Sequence, residues 1–495
     1  MPATVSASDQ AVATAGGLDA QVRETHTGLV FLVGDKVYKA KKAVVTDFLD
    51  FSTSAAREHA CAKEVALNRR LAPDSYLGIA HFHGLGDEAA EPVVVMRRYP
   101  DDARLATLVT NGQPVHHHLC VIAEMLARFH EHATRGPAVN AEGTARAVSA
   151  RWQQNLVELQ RHAADIVPAE QVSEVARLAT QFVSGRVSLF EHRIADRRVV
   201  DGHADLLADD VFCMPDGPAL LDCLEFDDRL RYVDGVDDAA FLAMDLEFLG
   251  RKELGDYFLD EYARRADDHV PGTLRNFYIA YRAVVRAKVD CIRVAQGNPD
   301  ARSDALRHID IALDRMRAAT VRLILIGGGP GTGKTTLSHG LAECIDAEVI
   351  STDDVRRELQ HSGVISGQAG TLHDGLYTPE NVAIVYDEVL RRARQSLANG
   401  RSTILDGTWR DSRQRDRARE LARAMAASIS EFTCSVPTSV ASERIEKRPT
   451  STSDATPQIA VALVDPETAA SEGIHIDTSR PLSESVAEAQ RHVAW

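Results

Sequence analysis

The sequence predicts two domains of different fold class: an α+β domain with two lobes, followed by an α/β domain built on a parallel sheet. Three observations lead to this prediction. The chain has 495 residues, 44% of them apolar, and is longer than one hydrophobic core usually organises. In its first part, strand patterns precede a long series of helical patterns. In its last part, short apolar strands alternate with helical stretches, and a glycine-rich loop follows the first of these strands.

The first predicted domain begins after a tail. Ala, Ser, Thr and Gly dominate residues 1–20, and this composition predicts a flexible segment. Residues 29–33 and 36–41 then predict two strands joined by a Gly34–Asp35 hairpin turn. Apolar spacing predicts the remaining elements in this order: a helix over 55–71, a buried strand over 92–96, helices over 119–170, a helix after Asp234, and helices over 274–317 that are interrupted at 297–300.

The second predicted domain opens with the apolar strand 321–326, followed at once by the glycine-rich loop and by a helix over 335–344. Later strands over 347–350 and 402–405 are separated by helical stretches, which predicts parallel strands connected by helices. We therefore divide the chain into a first domain at 21–300, a helical linker at 301–318 and a second domain at 319–495.

The glycine-rich loop has the complete pattern of a phosphate-binding P-loop. The residues expected to contact a nucleotide are Gly328, Gly329, Pro330, Gly331, Thr332, Gly333, Lys334, Thr335 and Thr336. Backbone N–H groups in such a loop converge on phosphate oxygens, and the glycines permit the close approach. Lys334 is expected to reach the β- and γ-phosphates and to act in catalysis, and Thr335 to hold Mg²⁺. A glycine-rich turn with a chance lysine is the alternative.

Polar residues at the ends of two later strands extend this site. Asp353 follows the strand 347–350 and is placed to accept a proton from a hydroxyl, while Arg356 is placed to bind an anionic part of the acceptor. Asp406 closes the strand 402–405, where a second Mg²⁺ ligand is expected. A helix cap with surface salt bridges is the alternative for Asp353 and Arg356, and a solvated turn is the alternative for Asp406.

Residues 320–490 resemble the small P-loop kinases related to zeta toxins, adenylylsulfate kinase and chloramphenicol phosphotransferase. The resemblance implies a P-loop NTPase fold, with Asp353 as the base on the acceptor side and Arg356 as a substrate-binding arginine. Arg444 and Arg448 match a basic lid helix that closes over the nucleotide phosphates, for which a charged exposed helix is the alternative.

A second candidate site lies in the first domain, where the loop 201–210 precedes two short apolar strands. This stretch resembles the aminoglycoside phosphotransferase and choline kinase superfamily, whose loop typically reads H-G-D-x-H-x-x-N, and the resemblance covers about residues 22–300. It implies a protein-kinase-like fold with Asp205 as the catalytic base and with Asp210 and Asp222 as magnesium ligands.

Three residues depart from the pattern of this superfamily. Ala204 replaces a Gly, Leu207 replaces a His and Asp210 replaces an Asn. Because the Leu207 side chain offers no hydrogen bond, the alternative is a nucleotide-binding or structural remnant without catalysis.

Upstream residues match the phosphate side of the same site. Lys39 matches the phosphate-pairing lysine and Glu64 its ion-pair partner, with Lys41 and Glu58 as alternatives. A later set of residues recurs at helical spacing and is typical of a solvated basic helix, although it could instead line an acceptor pocket: Tyr278, Tyr281, Arg282, Arg286 and Lys288.

Charge and composition restrict the partners. A formal net charge of −16 disfavours binding to nucleic acid. Seven scattered cysteines without a C-x-x-C pair indicate neither a disulfide framework nor a zinc site. The sequence shows neither a signal peptide nor a membrane-spanning run, so we expect a cytoplasmic protein without a membrane partner.

The two resemblances together imply an ATP- or GTP-dependent phosphotransferase that uses Mg²⁺ and acts on a small-molecule hydroxyl acceptor. One alternative is a P-loop kinase regulated by a kinase-like ligand-binding domain without catalysis. Another is an RNA- or ribosome-associated nucleotide-dependent factor, which would need a concentrated basic surface. The sequence specifies neither the acceptor nor the oligomeric state.

Overall fold

The computed structural model describes residues 13–15, 18–24, 28–44, 51–83, 90–163, 165–368, 375–446 and 473–493. The chain divides into two compact units. The first unit comprises Met1–Gln171, Arg193–Val270 and Tyr278–Ala312. The second unit comprises Val172–His192, Pro271–Phe277 and Leu313–Trp495.

The first unit opens with an antiparallel sheet of six strands: β1 (Ala13–Ala15), β2 (Leu18–Glu24), β3 (Gly28–Val33), β4 (Lys36–Lys41), β5 (Tyr76–Phe82) and β6 (Glu91–Arg97). The strand order is β1-β2-β3-β4-β6-β5. In the hairpin between β3 and β4, Val33 pairs with Lys36, and Gly34 has a φ of 57°, which glycine adopts without strain. Strand β1 and the start of β2 fall within 1–20, where the sequence predicts a flexible tail; residues 1–12 lie outside the described residues.

Helix α1 (Ser54–Asn68) covers one face of this sheet. It begins after Thr53, whose hydroxyl accepts a hydrogen bond from the Ala56 amide at 3.1 Å. Its buried residues Cys61 and Val65 pack in one apolar cluster with residues of β5 and β6, among them Tyr76, Val94 and Met96. This packing turns Glu64, which lies on the same buried face, toward the sheet.

Helices fill most of the following chain: α2 (Leu105–Thr110), α3 (His116–His132), α4 (Pro137–Glu142), α5 (Ala145–Ala163), α6 (Ala169–Gly185), α7 (Val187–Ala195), α8 (Asp228–Arg231), α9 (Gly235–Phe248), α10 (Lys252–Arg265), α11 (Gly272–Ala295) and α12 (Ala301–Ala318). Four short strands lie between α7 and α9: β7 (Val199–Asp201), β8 (Val211–Met214), β9 (Gly217–Leu220) and β10 (Tyr232–Asp234). Strand β7 pairs with β10, and β8 pairs with β9, both antiparallel.

The second unit is built on a five-stranded parallel sheet: β11 (Arg322–Gly327), β12 (Ala347–Ser351), β13 (Ser402–Asp406), β14 (Ser428–Ser435) and β15 (Ile474–Asp477), in the order β12-β13-β11-β14-β15. Its helices are α13 (Lys334–Ile345), α14 (Thr352–His361), α15 (Pro379–Ala398), α16 (Ser412–Ala424), α17 (Thr438–Glu446) and α18 (Leu482–Val493). Nearly all residues of the central strands β11 and β13 are buried, as expected for strands covered on both faces.

The second unit also contains residues 172–192, which differs from the contiguous domains predicted from the sequence. The reason is aromatic and polar packing within this unit. The Phe182 ring stacks on Phe277 with centroids 4.2 Å apart. The fully buried Arg186 donates a hydrogen bond of 2.5 Å to the Met425 carbonyl. A Cβ at Gly185 would lie 2.2 Å from that same oxygen, so only glycine permits this approach.

Both predicted fold classes are confirmed. The first unit combines an antiparallel sheet with a helical part, and the second unit is an α/β structure with a parallel sheet. Among the described helices, none is both long enough and apolar enough to cross a bilayer.

Candidate active sites

The P-loop connects β11 to α13 in the second unit. Three of its glycines have positive φ: Gly328 at 138°, Gly331 at 76° and Gly333 at 84°. A Cβ at Gly328 would lie 2.7 Å from the Cys434 carbonyl oxygen, and one at Gly331 would lie 2.5 Å from that of Ala441. These positions therefore require glycine both for backbone conformation and for space.

Lys334 and Thr335 form the first turn of α13. The Lys334 ammonium donates to the Gly329 carbonyl at 2.9 Å, so its side chain folds back over the loop. The Thr335 hydroxyl donates to the Asp406 carboxylate at 2.6 Å. Burial raises the pKa of Asp406, and the nearby Lys334 opposes that shift. Of the other predicted loop residues, Pro330 is half-buried and Thr336 is exposed.

Asp406 and Asp353 lie at the same edge of the sheet. Asp406 is the last residue of β13 and pairs with Ser351 at the end of β12. The Ser351 hydroxyl caps α14 by accepting from the Asp353 amide at 3.2 Å. Because β12 and β13 are parallel neighbours, their carboxyl ends bring the two aspartates to one edge of the sheet, where α/β proteins build their sites.

Arg356 lies one turn after Asp353 on α14. Its guanidinium donates to the Asp353 carboxylate at 2.6 Å and lies 4.6 Å from the centre of the Tyr377 ring. Its buried Nε has no hydrogen-bond partner in the described part of the chain. The structure thus brings Asp353 and Arg356 together in an ion pair. Both interpretations from the sequence, an acceptor site and a capped helix with salt bridges, predict this contact.

The predicted lid residues fall on and after α17. Arg444 donates to the Thr478 carbonyl at 2.9 Å, and its guanidinium lies 3.5 Å from the position of a Cβ at Gly333. Arg444 is therefore next to the P-loop. Arg448 lies outside the described residues.

The candidate site of the first unit begins with two lysines on β4. Lys39 lies 3.0 Å from the fully buried Glu64 and 2.5 Å from Asp222. Lys41 lies 2.6 Å from Glu64 and 2.6 Å from Glu225. Both lysines thus share Glu64, but only Lys39 also contacts Asp222. Glu58, the alternative partner, instead pairs with His81 at 2.8 Å.

These contacts set the charges of the cluster. Burial alone would lower the pKa of Lys39, but Asp222 and Glu64 outweigh it and hold this pKa well above its usual value. Burial would likewise raise the pKa of Asp222, but Lys39 outweighs it and lowers that pKa. Lys39 and Asp222 are therefore both ionised at neutral pH.

Asp205, Asp210 and Asp222 lie on neighbouring turns after β7 and β9. Asp210 ends a short 3₁₀ turn, and its carbonyl accepts from the Leu221 amide at 3.0 Å. Burial raises the pKa of Asp205 to about 6, with Asp222 adding to the shift and Arg286 opposing it. Burial and the charges of Asp222 and Asp205 hold the pKa of Asp210 well above its usual value. The three carboxylates therefore crowd one another electrostatically.

Asp238 fixes the loop that carries Asp205, a role that the sequence did not reveal. Its carboxylate accepts from the amides of His203 and Ala204, both at 2.7 Å, and lies 2.9 Å from the His130 ring nitrogen. Ala204 has a φ of 69°, in the left-handed region that favours glycine. Asp237 and Asp238 lie in the first turn of α9, and their long-range contacts have no local signature in the sequence.

Helix α11 corrects a prediction. We favoured a solvated basic helix, but Tyr278, Tyr281 and Arg282 are buried. The Arg282 guanidinium donates to the Asp237 carboxylate at 2.8 Å and to the Ala204 carbonyl at 3.3 Å. A buried carboxylate therefore compensates this arginine inside the unit. Lys288 pairs with Glu158 at 3.0 Å, and Arg286 is half-buried.

Curated relatives match almost the whole chain. The uncharacterized protein Rv2004c of Mycobacterium tuberculosis H37Rv is 55% identical over 468 residues, which cover 94% of each chain. The chain belongs to the family of this protein. The uncharacterized protein Mb2027c of Mycobacterium bovis is a member with the same identity and coverage.

Other comparisons match parts of this family member. A family model described as an AAA domain matches residues 323–463, which include the P-loop. A choline/ethanolamine kinase family protein from Mesorhizobium loti is 16% identical and covers 61% of this chain and 87% of its own, with a TM-score of 0.38. A gluconokinase from Sinorhizobium meliloti is 20% identical and covers 34% of this chain and 90% of its own, with a TM-score of 0.26.

Proposed function

We propose that the protein is an ATP-dependent phosphotransferase with two nucleotide sites, one in each unit, and that it transfers the γ-phosphoryl group to a small-molecule hydroxyl. The observation that carries the proposal is the 2.6 Å contact between Thr335 and Asp406 beside Lys334. It brings together the two side-chain oxygens that would bind the Mg²⁺ of a nucleotide held by the P-loop.

In the second unit, the P-loop amides and Lys334 would hold the β- and γ-phosphates, and GTP would fit the same contacts. Thr335 and Asp406 would supply the hard oxygen ligands that Mg²⁺ prefers, and a bound cation would oppose the rise in the Asp406 pKa that burial causes. Mg²⁺ would neutralise charge that develops on the transferred group. Asp353 would accept the proton of the acceptor hydroxyl, and Arg356, which is bonded to it, would hold the acceptor in place.

In the first unit, Lys39 would contact the nucleotide phosphates while Glu64 orients its side chain. Asp210 and Asp222 would hold Mg²⁺, and Asp205 would accept the proton of the acceptor hydroxyl. Among the described residues, no group of three or more His, Cys, Asp or Glu is arranged to hold a metal ion by itself. That fits Mg²⁺, which usually binds through one or two carboxylates together with substrate phosphates.

The test is a panel of hydroxyl compounds with ATP or GTP, run on the wild type and on the Lys334→Ala and Asp205→Asn variants. Product formation is followed by release of ADP or GDP and by mass spectrometry of the acceptor. We expect Lys334→Ala to abolish one activity and Asp205→Asn to abolish another. An absence of nucleotide-dependent product in the wild type across the panel would refute the proposal.

A second candidate function makes the first unit a ligand-binding regulator without catalysis. The 2.5 Å ion pair between Lys39 and Asp222 favours it, because each group already satisfies the other without a nucleotide. Under this candidate, Asp205→Asn leaves total phosphotransfer unchanged while Lys334→Ala abolishes it. The two-site proposal predicts a loss of product for both variants.

A further inference from the structure

We propose that Arg286 supplies the positive charge that binds the γ-phosphoryl group during its transfer at the site of the first unit. The inference rests on the proposed function of that site. In this proposal, helix α11 provides the positive charge that no residue of the loop 205–210 can provide.

The loop itself offers no cation. Between Asp205 and Asp210 it contains only Leu206, Leu207, Ala208 and Asp209. A phosphoryl group in transfer carries negative charge on its three outer oxygens, and the Asp205 carboxylate, which is not assigned to Mg²⁺, would repel it. A positive side chain must therefore reach this point from another element.

Arg286 is placed to do so by helical geometry. Arg282 contacts the Ala204 carbonyl at 3.3 Å, directly before Asp205. Arg286 lies four residues later on α11 and so occupies the same face of the helix, about one turn further along. Its charge is the strongest of those that oppose the rise in the Asp205 pKa caused by burial. It also opposes the rise in the pKa of Asp245, whose carboxylate holds the Ala208 amide at 2.7 Å.

The guanidinium of Arg286 is also available to bind an anionic ligand. Lys39 is assigned to the nucleotide phosphates in the proposed function, Lys41 pairs with Glu64 and Glu225, and Arg282 pairs with Asp237. By contrast, the guanidinium of Arg286 makes no hydrogen bond or ion pair with any other residue that the structure describes. A half-buried guanidinium without such a partner favours an anionic ligand, and its planar fork matches phosphoryl oxygens.

The transfer balances with the groups named. The acceptor oxygen forms a bond to the γ-phosphorus, and the bond between that phosphorus and the β–γ bridging oxygen breaks. The electron pair of the broken bond leaves on ADP, and the hydroxyl proton goes to a carboxylate oxygen of Asp205. Arg286 donates hydrogen bonds to the outer oxygens of the moving group and changes no bond of its own.

The experiment uses the full chain with Lys334→Ala, so that the site of the first unit is the one measured. Arg286→Gln, Arg286→Lys and the control Lys288→Gln are compared. Lys288 shares α11 but pairs with Glu158, so its loss tests for a general effect on the helix. The dissociation constants of Mg²⁺ complexes of AMPPNP and ADP are measured by calorimetry, and far-ultraviolet circular dichroism checks the fold.

We expect Arg286→Gln to reduce the preference for AMPPNP over ADP about 10-fold. It should also reduce the rate of phosphoryl transfer, followed by release of ADP, about 100-fold or more. Arg286→Lys should recover part of both, and Lys288→Gln should change neither. If folded Arg286→Gln keeps the preference for AMPPNP over ADP, the role of Arg286 is refuted, whereas the proposed site of the first unit is not. If Arg286→Gln fails to fold, a folded Arg286→Lys with an unchanged preference and unchanged turnover refutes the same assignment. If the Lys334→Ala protein binds neither nucleotide, the proposed site of the first unit is refuted, and this inference falls with it.

Discussion

Replacement of Asp238 by Ala should destabilise the first unit strongly, although this buried substitution does not alter the exposed surface of the unit. The carboxylate is fully buried and accepts from two amides at 2.7 Å and from the His130 ring at 2.9 Å. An alanine leaves three donors without an acceptor, and each unsatisfied buried donor costs about 1–3 kcal/mol. Since the loop can relax in part, we expect a loss of about 4 kcal/mol, typical of breaking a buried charged contact.

The measurement is urea unfolding followed by tryptophan fluorescence. The chain has 3 tryptophans, so Trp409→Phe and Trp495→Phe leave Trp152, which is buried in the first unit, as the reporter. Asp196→Ala, at an exposed aspartate of the same unit, is the control and should stay within about 0.5 kcal/mol. A loss below about 1 kcal/mol for Asp238→Ala would refute the reasoning.

The effect of Asp238→Ala should also depend on pH. Burial alone would raise the pKa of Asp238, but the contacts with His130 and the loop amides outweigh it and hold this pKa far below its usual value. A group with a lowered pKa stabilises the fold fully above its unfolded pKa of about 3.9 and loses that contribution as the pH falls further. The difference between wild type and variant should therefore be constant above about pH 5 and shrink below about pH 4. A difference that grows on acidification would contradict this assignment.

Three further predictions concern the proposed sites. Asp406→Asn should weaken Mg²⁺-dependent nucleotide binding about 10-fold or more with little effect on binding without Mg²⁺, which calorimetry with and without chelator measures. Lys39→Met should reduce nucleotide affinity at the first unit more than Lys41→Met, since Lys39 alone contacts Asp222; equal losses would leave the choice between them unsupported. Turnover of Lys334→Ala protein should rise with pH through about 6, because burial raises the pKa of Asp205 to about 6 and a base acts when ionised. A profile that is flat from pH 5 to 8 would count against Asp205.

The sequence predicted well those features that depend on neighbouring residues. The P-loop, its flanking strand and helix, and the hairpin around Gly34 are local patterns, so spacing and turn chemistry are enough to recognise them. The pairing of Lys39 with Glu64 was named together with its alternatives. Choosing between them needed the position of α1 on the sheet, which tertiary packing sets.

Features built from distant segments were missed or misassigned. Asp238 contacts a loop amide 35 residues away, and no local pattern distinguishes it from a helix-capping aspartate. The charges on α11 suggested a solvated face because Arg282 was considered without Asp237, which lies 45 residues earlier and neutralises it inside the unit. In both cases a charged side chain is buried because its partner comes from another element.

The hydrogen bond between Arg186 and Met425 also limits when the second unit can fold during translation. The two residues are 239 positions apart, and both belong to the second compact unit. At roughly 5–20 residues per second, the ribosome makes Met425 roughly 10–50 s after Arg186. Arg186 therefore cannot make its final contact until the ribosome has synthesised the chain as far as Met425. The nascent protein consequently forms its second compact unit only after Met425 has been made, even though that unit begins at residue 172.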